Sequence, residues 1–243
     1  MKKPKVLILR AAGTNCDAET ALAFSLLGVG AERVHVNEFL KGRDSFLQYD
    51  VLVLPGGFSY GDDVGAGKIL ANELRSLPDF KVFVDSDRPV IGICNGFQVL
   101  VKTGFLPESE GGRQAATLTF NDSGKFEARW VKLKINRDSP CLFTQGLPEV
   151  IELPIAHGEG KFVVESEGVL RGMKEKRQVA IQYEGGNPNG SVEDIAGITN
   201  AKGNCLGLMP HPERFLTSWH HPSRKGDPVG LEFFRNALDY VKS

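Results

Sequence analysis

Several marks of common protein classes are missing from this sequence. Its 243 residues hold only four cysteines, at positions 16, 94, 141 and 205. None is part of a CxxC pair, which argues against a zinc module and a disulfide framework and suits a reducing cytoplasm. No apolar run approaches the roughly 20 residues that a membrane-spanning helix needs. The short run Val6 to Leu9, after a basic start, is too brief for a signal-peptide core and reads as a first strand. Neither sign of charge dominates: 29 Lys and Arg face 30 Asp and Glu, a formal net charge of −1. No basic field therefore invites nucleic acid. Repeats, low-complexity tracts and linkers are absent, so residues 1–243 read as one domain. A usable phosphate loop is missing too. In Gly65-Ala66-Gly67-Lys68 the spacing from Gly61 is one residue too long, and Ile69 stands where a magnesium-binding Ser or Thr belongs, so ATP is not expected here.

What is present is an ordinary globular composition, 41% hydrophobic and 24% charged, with short apolar runs alternating with helical patterns. Val6 to Leu9, Val34 to Asn37, Asp50 to Leu54 and Val90 to Ile93 read as strands. Helices are expected over about Asp17 to Leu27, Val64 to Leu77 and Asn95 to Val101, with Thr14 and Asp17 as a capping-box variant for the first. This alternation implies an α/β fold, a doubly wound, mostly parallel sheet with helices on both faces. From Leu118 the texture changes to short strands punctuated by turn-formers such as Asn187-Pro188-Asn189-Gly190, a smaller antiparallel region. Within it, Ile195 to Thr199 and Cys205 to Met209 look like a hairpin. A last helix, about Val229 to Val241, closes the chain.

Chemistry concentrates where the fourth strand turns into a helix. Gly92-Ile93-Cys94-Asn95-Gly96 has the spacing of a nucleophile elbow with Cys in place of Ser. The helix starting beneath the sulfur favours a thiolate through its free N–H groups and positive dipole end. A thiol nucleophile needs a proton acceptor, and the acceptor needs an orienting group. Among the five histidines, His211 is the candidate acceptor. It follows an apolar strand, lies between two prolines, and has Glu213 two residues on. Gly56-Gly57 ends another buried strand, so the Gly57 N–H, with that of Asn95, can form an oxyanion hole. In open α/β sheets ligands bind beyond the carboxyl ends of the strands, so these groups can share a crevice. His220-His221 reads as part of a polar surface loop, and Lys125, Arg129, Lys132 and Lys134 as a solvated face. These residues alone also admit a Cys hydrolase or isomerase on the same sheet, or a binding scaffold that has lost catalysis.

Gly92 to Gln98 together with His211-Pro212-Glu213 resembles the class I (triad) glutamine amidotransferases. The likeness is closer to the subfamily of glutaminase subunits of phosphoribosylformylglycinamidine synthase, through Gly13 to Asp17, Pro55 to Asp62, Ala156 to Phe162 and Gly207 to Arg214. The resemblance implies a cytoplasmic glutaminase. In it Cys94 attacks the side-chain amide of L-glutamine, His211 moves protons and Glu213 orients His211. Gly57 and Asn95 hold the oxyanion, and Gly56 and Gln98 contact substrate. It implies no metal or cofactor in this chain, with ATP and magnesium on a large synthetase subunit that receives the ammonia, and a small third subunit in the complex.

Overall fold

The structure, a computed structural model, describes residues 3–108, 113–224 and 226–242. Its centre is a nine-stranded sheet, assembled here in chain order. Strand β1 (Val6–Arg10) leads through helix α1 (Asp17–Leu26) to β2 (Ala31–His35), and the short helix α2 (Val36–Leu40) follows. Next come β3 (Val51–Leu54), helices α3 (Lys68–Arg75) and α4 (Pro78–Asp85), β4 (Val90–Ile93) and helix α5 (Asn95–Thr103). The second half adds β5 (Ala116–Thr119), β6 (Glu127–Ile135), β7 (Val150–His157), β8 (Lys161–Val164), α6 (Glu167–Glu175), β9 (Val179–Glu184), β10 (Ile195–Thr199), β11 (Cys205–Leu208) and α7 (Gly230–Tyr240).

The sheet order is β2-β1-β3-β4-β11-β10-β9-β6-β7, with β5 and β8 paired separately. Strands β2, β1, β3, β4 and β11 are parallel, and the strands beyond β11 are antiparallel. The antiparallel strands thus continue the parallel sheet across the expected β10–β11 hairpin, in which Gly197 faces Leu208. β3, β4 and β11 are buried along their whole length, which is why they read as continuous apolar runs. The helices flank the sheet in two groups. α1 meets α7, with Phe24 and Phe234 edge to face at 5.3 Å, while α3 packs on α5 and α4.

Three local expectations change. Thr14 does not cap α1. Its hydroxyl accepts from the Ala11 N–H (3.0 Å), and Cys16 takes the N-cap position. The strand expected over Val34 to Asn37 ends at His35, whose Nδ1 accepts from the Asn37 N–H (3.2 Å) and starts α2. The helix expected from Val64 begins only at Lys68, because residues 64, 65 and 67 all have positive φ and form tight turns. Pro78 then opens a separate helix, being well suited to the first helical turn.

Candidate active site

β4 lies between β3 and β11 and delivers Cys94 at its carboxyl end. The residue is held at φ 51°, ψ −105°, a strained conformation for a non-glycine residue. It is fixed by its N–H, which donates to Leu208 O (2.8 Å), and its carbonyl, which accepts from the Gln98 N–H (3.1 Å). The flanking glycines are required by contact. A Cβ on Gly96 would lie 1.9 Å from Leu54 O, and one on Gly92 would lie 2.6 Å from Gly96 O. The elbow therefore exists because α5 is pressed directly onto β3 and β4.

The same end of the sheet carries the candidate acceptor His211 and its orienting residue Glu213. Leu208, the last residue of β11, is opposite Ile93, and the next residues bring His211 round until its N–H donates to Pro154 O (2.9 Å). The turn Pro212–Arg214 folds Glu213 back so that its Oε1 holds His211 Nδ1 at 2.6 Å. Their side chains are only 2% and 0% exposed, so the contact is not diluted by solvent. Burial pulls His211 toward its neutral form. The charges of Glu213 and then Cys94 outweigh it and hold His211 well above the ordinary histidine range. His211 Nε2 is buried without a hydrogen-bond partner.

The proposed oxyanion donors are open. Neither the Gly57 N–H nor the Asn95 N–H has an acceptor among the described residues; the latter is the first amide of α5, free by the nature of a helix start. Gly57 sits at φ +148°, where an L side chain is strained, and a Cβ there would lie 2.7 Å from Gly13 O. Asn95 also anchors the Phe58–Asp62 loop. Its Oδ1 accepts from the Ser59 N–H (3.3 Å), and its Nδ2 donates to Asp62 Oδ1 (3.1 Å) and Gln98 Oε1 (3.0 Å). Gln98 Nε2 in turn donates to Glu159 O (2.6 Å). Gln98 thus ties the Glu159 loop to α5, and both ends of its amide are engaged within the chain. Burial, then the charge of Glu159, pushes the Asp62 carboxyl up, and burial pulls Lys102 down.

Gly56 is where the groups converge. A Cβ on it would lie 3.0 Å from His211 Cε1, 3.0 Å from Cys16 Sγ and 3.5 Å from Cys94 Cβ. Gly56→Ala is accordingly expected to lower turnover by about tenfold or more through displaced reacting groups while changing stability little. Steady-state rates beside a thermal melt check this, and a variant as active as the parent would show that the methyl is absorbed elsewhere.

Two further residues enter the site. Cys16 lies beside His211, with its own Sγ 3.1 Å from Arg214 Nη2 and 3.2 Å from Asn15 Oδ1. Cysteine spacing gave no hint of this, but Cys16 follows the carboxyl end of β1, level with Gly56 and Cys94, so topology could have found it. His157, at the end of β7, is buried, with Nδ1 3.2 Å from Asn121 Oδ1 and Nε2 unpartnered. Burial, and then the His211 charge, push it down to about 4, so it stays neutral at neutral pH. The other sequence candidates remain outside. His221 packs on Trp130 (4.4 Å between ring centres) and meets Glu152 at 3.2 Å, while His220, Lys125, Arg129, Lys132 and Lys134 are exposed.

Comparisons with known proteins agree with this geometry. The CobB/CobQ-like glutamine amidotransferase domain family matches residues 3–241. A phosphoribosylformylglycinamidine synthase subunit PurQ from Dehalococcoides mccartyi is 44% identical, covering 100% of this chain and 99% of its own. One from Treponema denticola is 45% identical, covering 98% and 99%. Among solved structures, a chain in PurLQS from Thermotoga maritima superposes with a TM-score of 0.80 at 32% identity, covering 99% of this chain and 100% of that one. Another glutamine amidotransferase from Thermotoga maritima shares the fold at 18% identity, TM-score 0.61, with both chains covered in full at 100%.

Proposed function

The chain belongs to the CobB/CobQ-like glutamine amidotransferase family, and we propose that Cys94, His211 and Glu213 make it hydrolyse L-glutamine to glutamate and ammonia. Its full-length likeness to PurQ subunits makes it the glutaminase subunit of phosphoribosylformylglycinamidine synthase, a ligase of purine biosynthesis. The single observation that carries the reading is the buried 2.6 Å contact between His211 and Glu213, set beside an elbow cysteine.

In this reading His211 takes the Cys94 proton. The thiolate attacks the glutamine side-chain amide carbon, and the developing oxyanion lies between the Gly57 and Asn95 N–H groups. The C–N bond breaks as His211 Nε2 passes its proton to the departing nitrogen, giving ammonia and a γ-glutamyl thioester. Neutral His211 then draws a proton from water, whose oxygen attacks the thioester. Glutamate leaves, and Cys94 is regenerated. Gly56 gives the room that the amide needs, and Gln98 keeps the Glu159 loop at the pocket. Glu213 holds the imidazole orientation throughout.

Ammonia passes to a synthetase subunit that converts formylglycinamide ribonucleotide to the amidine, in a complex that also contains a small third subunit. The PurLQS relative supports that partnership. The exposed rings of Phe58 and Phe126, 6.4 Å apart beside Gly57, offer an apolar rim for a partner to cover. We assign ATP and magnesium to the synthetase, treat residues 1–243 as a single amidotransferase unit, and place it in the cytoplasm. No helix among the described residues is long and apolar enough to cross a membrane.

The test is an electrophilic glutamine analogue followed by peptide mapping. Burial pushes the Cys16, Cys141 and Cys205 thiols up, so label is expected on Cys94 first. Label on any of the other three with Cys94 untouched would overturn the assignment.

A further inference from the structure

We propose that Cys16 is a positioning residue of the glutaminase site, tying the oxyanion turn at Gly56-Gly57 to the turn that carries His211 and Glu213. The proposal rests on the glutaminase reading and adds to it a residue that makes and breaks no bond in the reaction. The two turns come from strands that do not touch. Gly56-Gly57 follows β3 and His211 follows β11, with β4 between them. The oxyanion donor and the proton carrier act on one amide, so their spacing has to be held.

Cys16 reaches both turns. Its N–H donates to Gly56 O (3.2 Å), beside the Asn15 N–H on the same carbonyl (3.3 Å), and the Phe58 N–H donates to Gly13 O (2.9 Å). Thr14 pairs with Gly57 in an isolated antiparallel bridge. On the other side, Cys16 Sγ accepts from Arg214 Nη2 (3.1 Å). The Arg214 N–H in turn donates to His211 O (3.2 Å) and closes the turn that carries Glu213. Cys16 Sγ, a ring nitrogen of His211 and a Glu213 oxygen lie within 4.8 Å of one another.

The tie is well anchored. Cys16 is 1% exposed, and its carbonyl at the start of α1 accepts from the Thr20 N–H (3.1 Å) and the Thr20 hydroxyl (2.7 Å). Burial pushes its thiol up, so the sulfur keeps its proton. That proton is donated to Asn15 Oδ1 (3.2 Å), which leaves a lone pair for Arg214. Glu19 of α1 adds a second hold on Arg214, at 4.0 Å from Nε. Alanine at position 16 would remove the acceptor and open space beside the imidazole, so that the His211 turn drifts relative to Gly57. It would also take away a support of the imidazolium. Against the burial that pulls His211 down, Cys16 acts after Glu213 and Cys94 in holding it up.

The experiment measures glutamate release across pH in the assembled synthase complex with Cys16→Ala, Cys16→Ser and Arg214→Leu. Cys16→Ala is expected to lower kcat by about tenfold or more, the scale of a small misplacement of reacting groups, with KM near the parental value because binding contacts are kept. Its alkaline limb should move to lower pH, since His211 loses a group that holds its proton. Serine keeps an acceptor for Arg214 and should recover much of the rate and of the limb. Arg214→Leu breaks the same bond from the other side, so its loss and that of Cys16→Ala should not multiply in the double variant. Should Cys16→Ala fold poorly by thermal melt, Arg214→Leu carries the same expectation for rate and for KM. A parental rate in Cys16→Ala, a loss that scales the whole profile without moving the limb and that serine does not rescue, or fully multiplicative losses would overturn the proposal. The His211 ring followed by NMR titration gives a readout without turnover. Its midpoint should fall in Cys16→Ala, and an unmoved midpoint would count against the tie even if the parent complex released no glutamate and the glutaminase reading failed.

Discussion

Cys94→Ala is expected to cut glutamine-dependent synthesis by the assembled synthase by about 10⁴-fold or more, the scale of removing a covalent nucleophile, while synthesis from ammonium salt stays near the parental rate. The argument begins with the elbow. Cys94 is held at φ 51° by backbone bonds to Leu208 and Gln98 that alanine makes equally well, so truncation takes away the sulfur and leaves the turn. Without the thioester there is no route from glutamine to ammonia, since no second thiol reaches the amide with the oxyanion donors at its back. Cys141 and Cys205 are buried in the core, and the Cys16 sulfur is engaged by Arg214 and Asn15 at the end of β1. Ammonia supplied from solution bypasses the step, because the acceptor and nucleotide chemistry belong to the synthetase. The measurement compares product formation with glutamine and with ammonium in complexes whose assembly is verified by mass. Loss of both activities in a well-assembled variant would place Cys94 in the synthetase reaction and overturn the division of labour.

The fold and the candidate triad were legible for different reasons. β3, β4 and β11 are buried on both faces, so their apolar runs survive any uncertainty about neighbours. The candidate triad was legible because its signals are local: Cys94 between two glycines, and Glu213 two residues from His211. What failed to show was non-local or set by backbone conformation. The delayed start of α3 depends on positive φ at Val64, Gly65 and Gly67, which no periodicity of apolar residues encodes. Cys16 enters the site only because the Gly13–Cys16 turn bonds to Gly56, where the Asn15 and Cys16 N–H groups both reach the Gly56 carbonyl. His221 likewise packs on Trp130 of β6, a residue far from it in the chain. His220-His221 read as part of a polar surface loop, and the ring that packs on Trp130 gave no periodic signal.

His211→Ala is expected to lose about 10⁴-fold or more in kcat/KM, and Glu213→Gln clearly less, with a shift in pH profile that separates orientation from charge. Alanine leaves Cys94 without a proton acceptor and the departing nitrogen without a donor, so both halves of the reaction fail. Glutamine keeps the shape and an oxygen for His211 Nδ1, but it removes the carboxylate charge. That charge is the foremost influence raising His211 against a burial that pulls it down. The sign follows directly. The reactive form pairs an imidazolium with a thiolate, so activity falls on the alkaline side as pH passes the folded-state value of His211 and its proton is lost. With Glu213 neutralised, burial is opposed mainly by Cys94, the folded-state value drops, and the alkaline limb of kcat/KM moves to lower pH. A merely structural defect would scale the whole profile down without moving the limb. Rates measured across pH on both variants, with folding verified by thermal melts, decide the matter. An unmoved or upward-shifted limb in Glu213→Gln would remove its electrostatic role, and near-parental rates in both would reduce the His211–Glu213 contact to a feature of the turn.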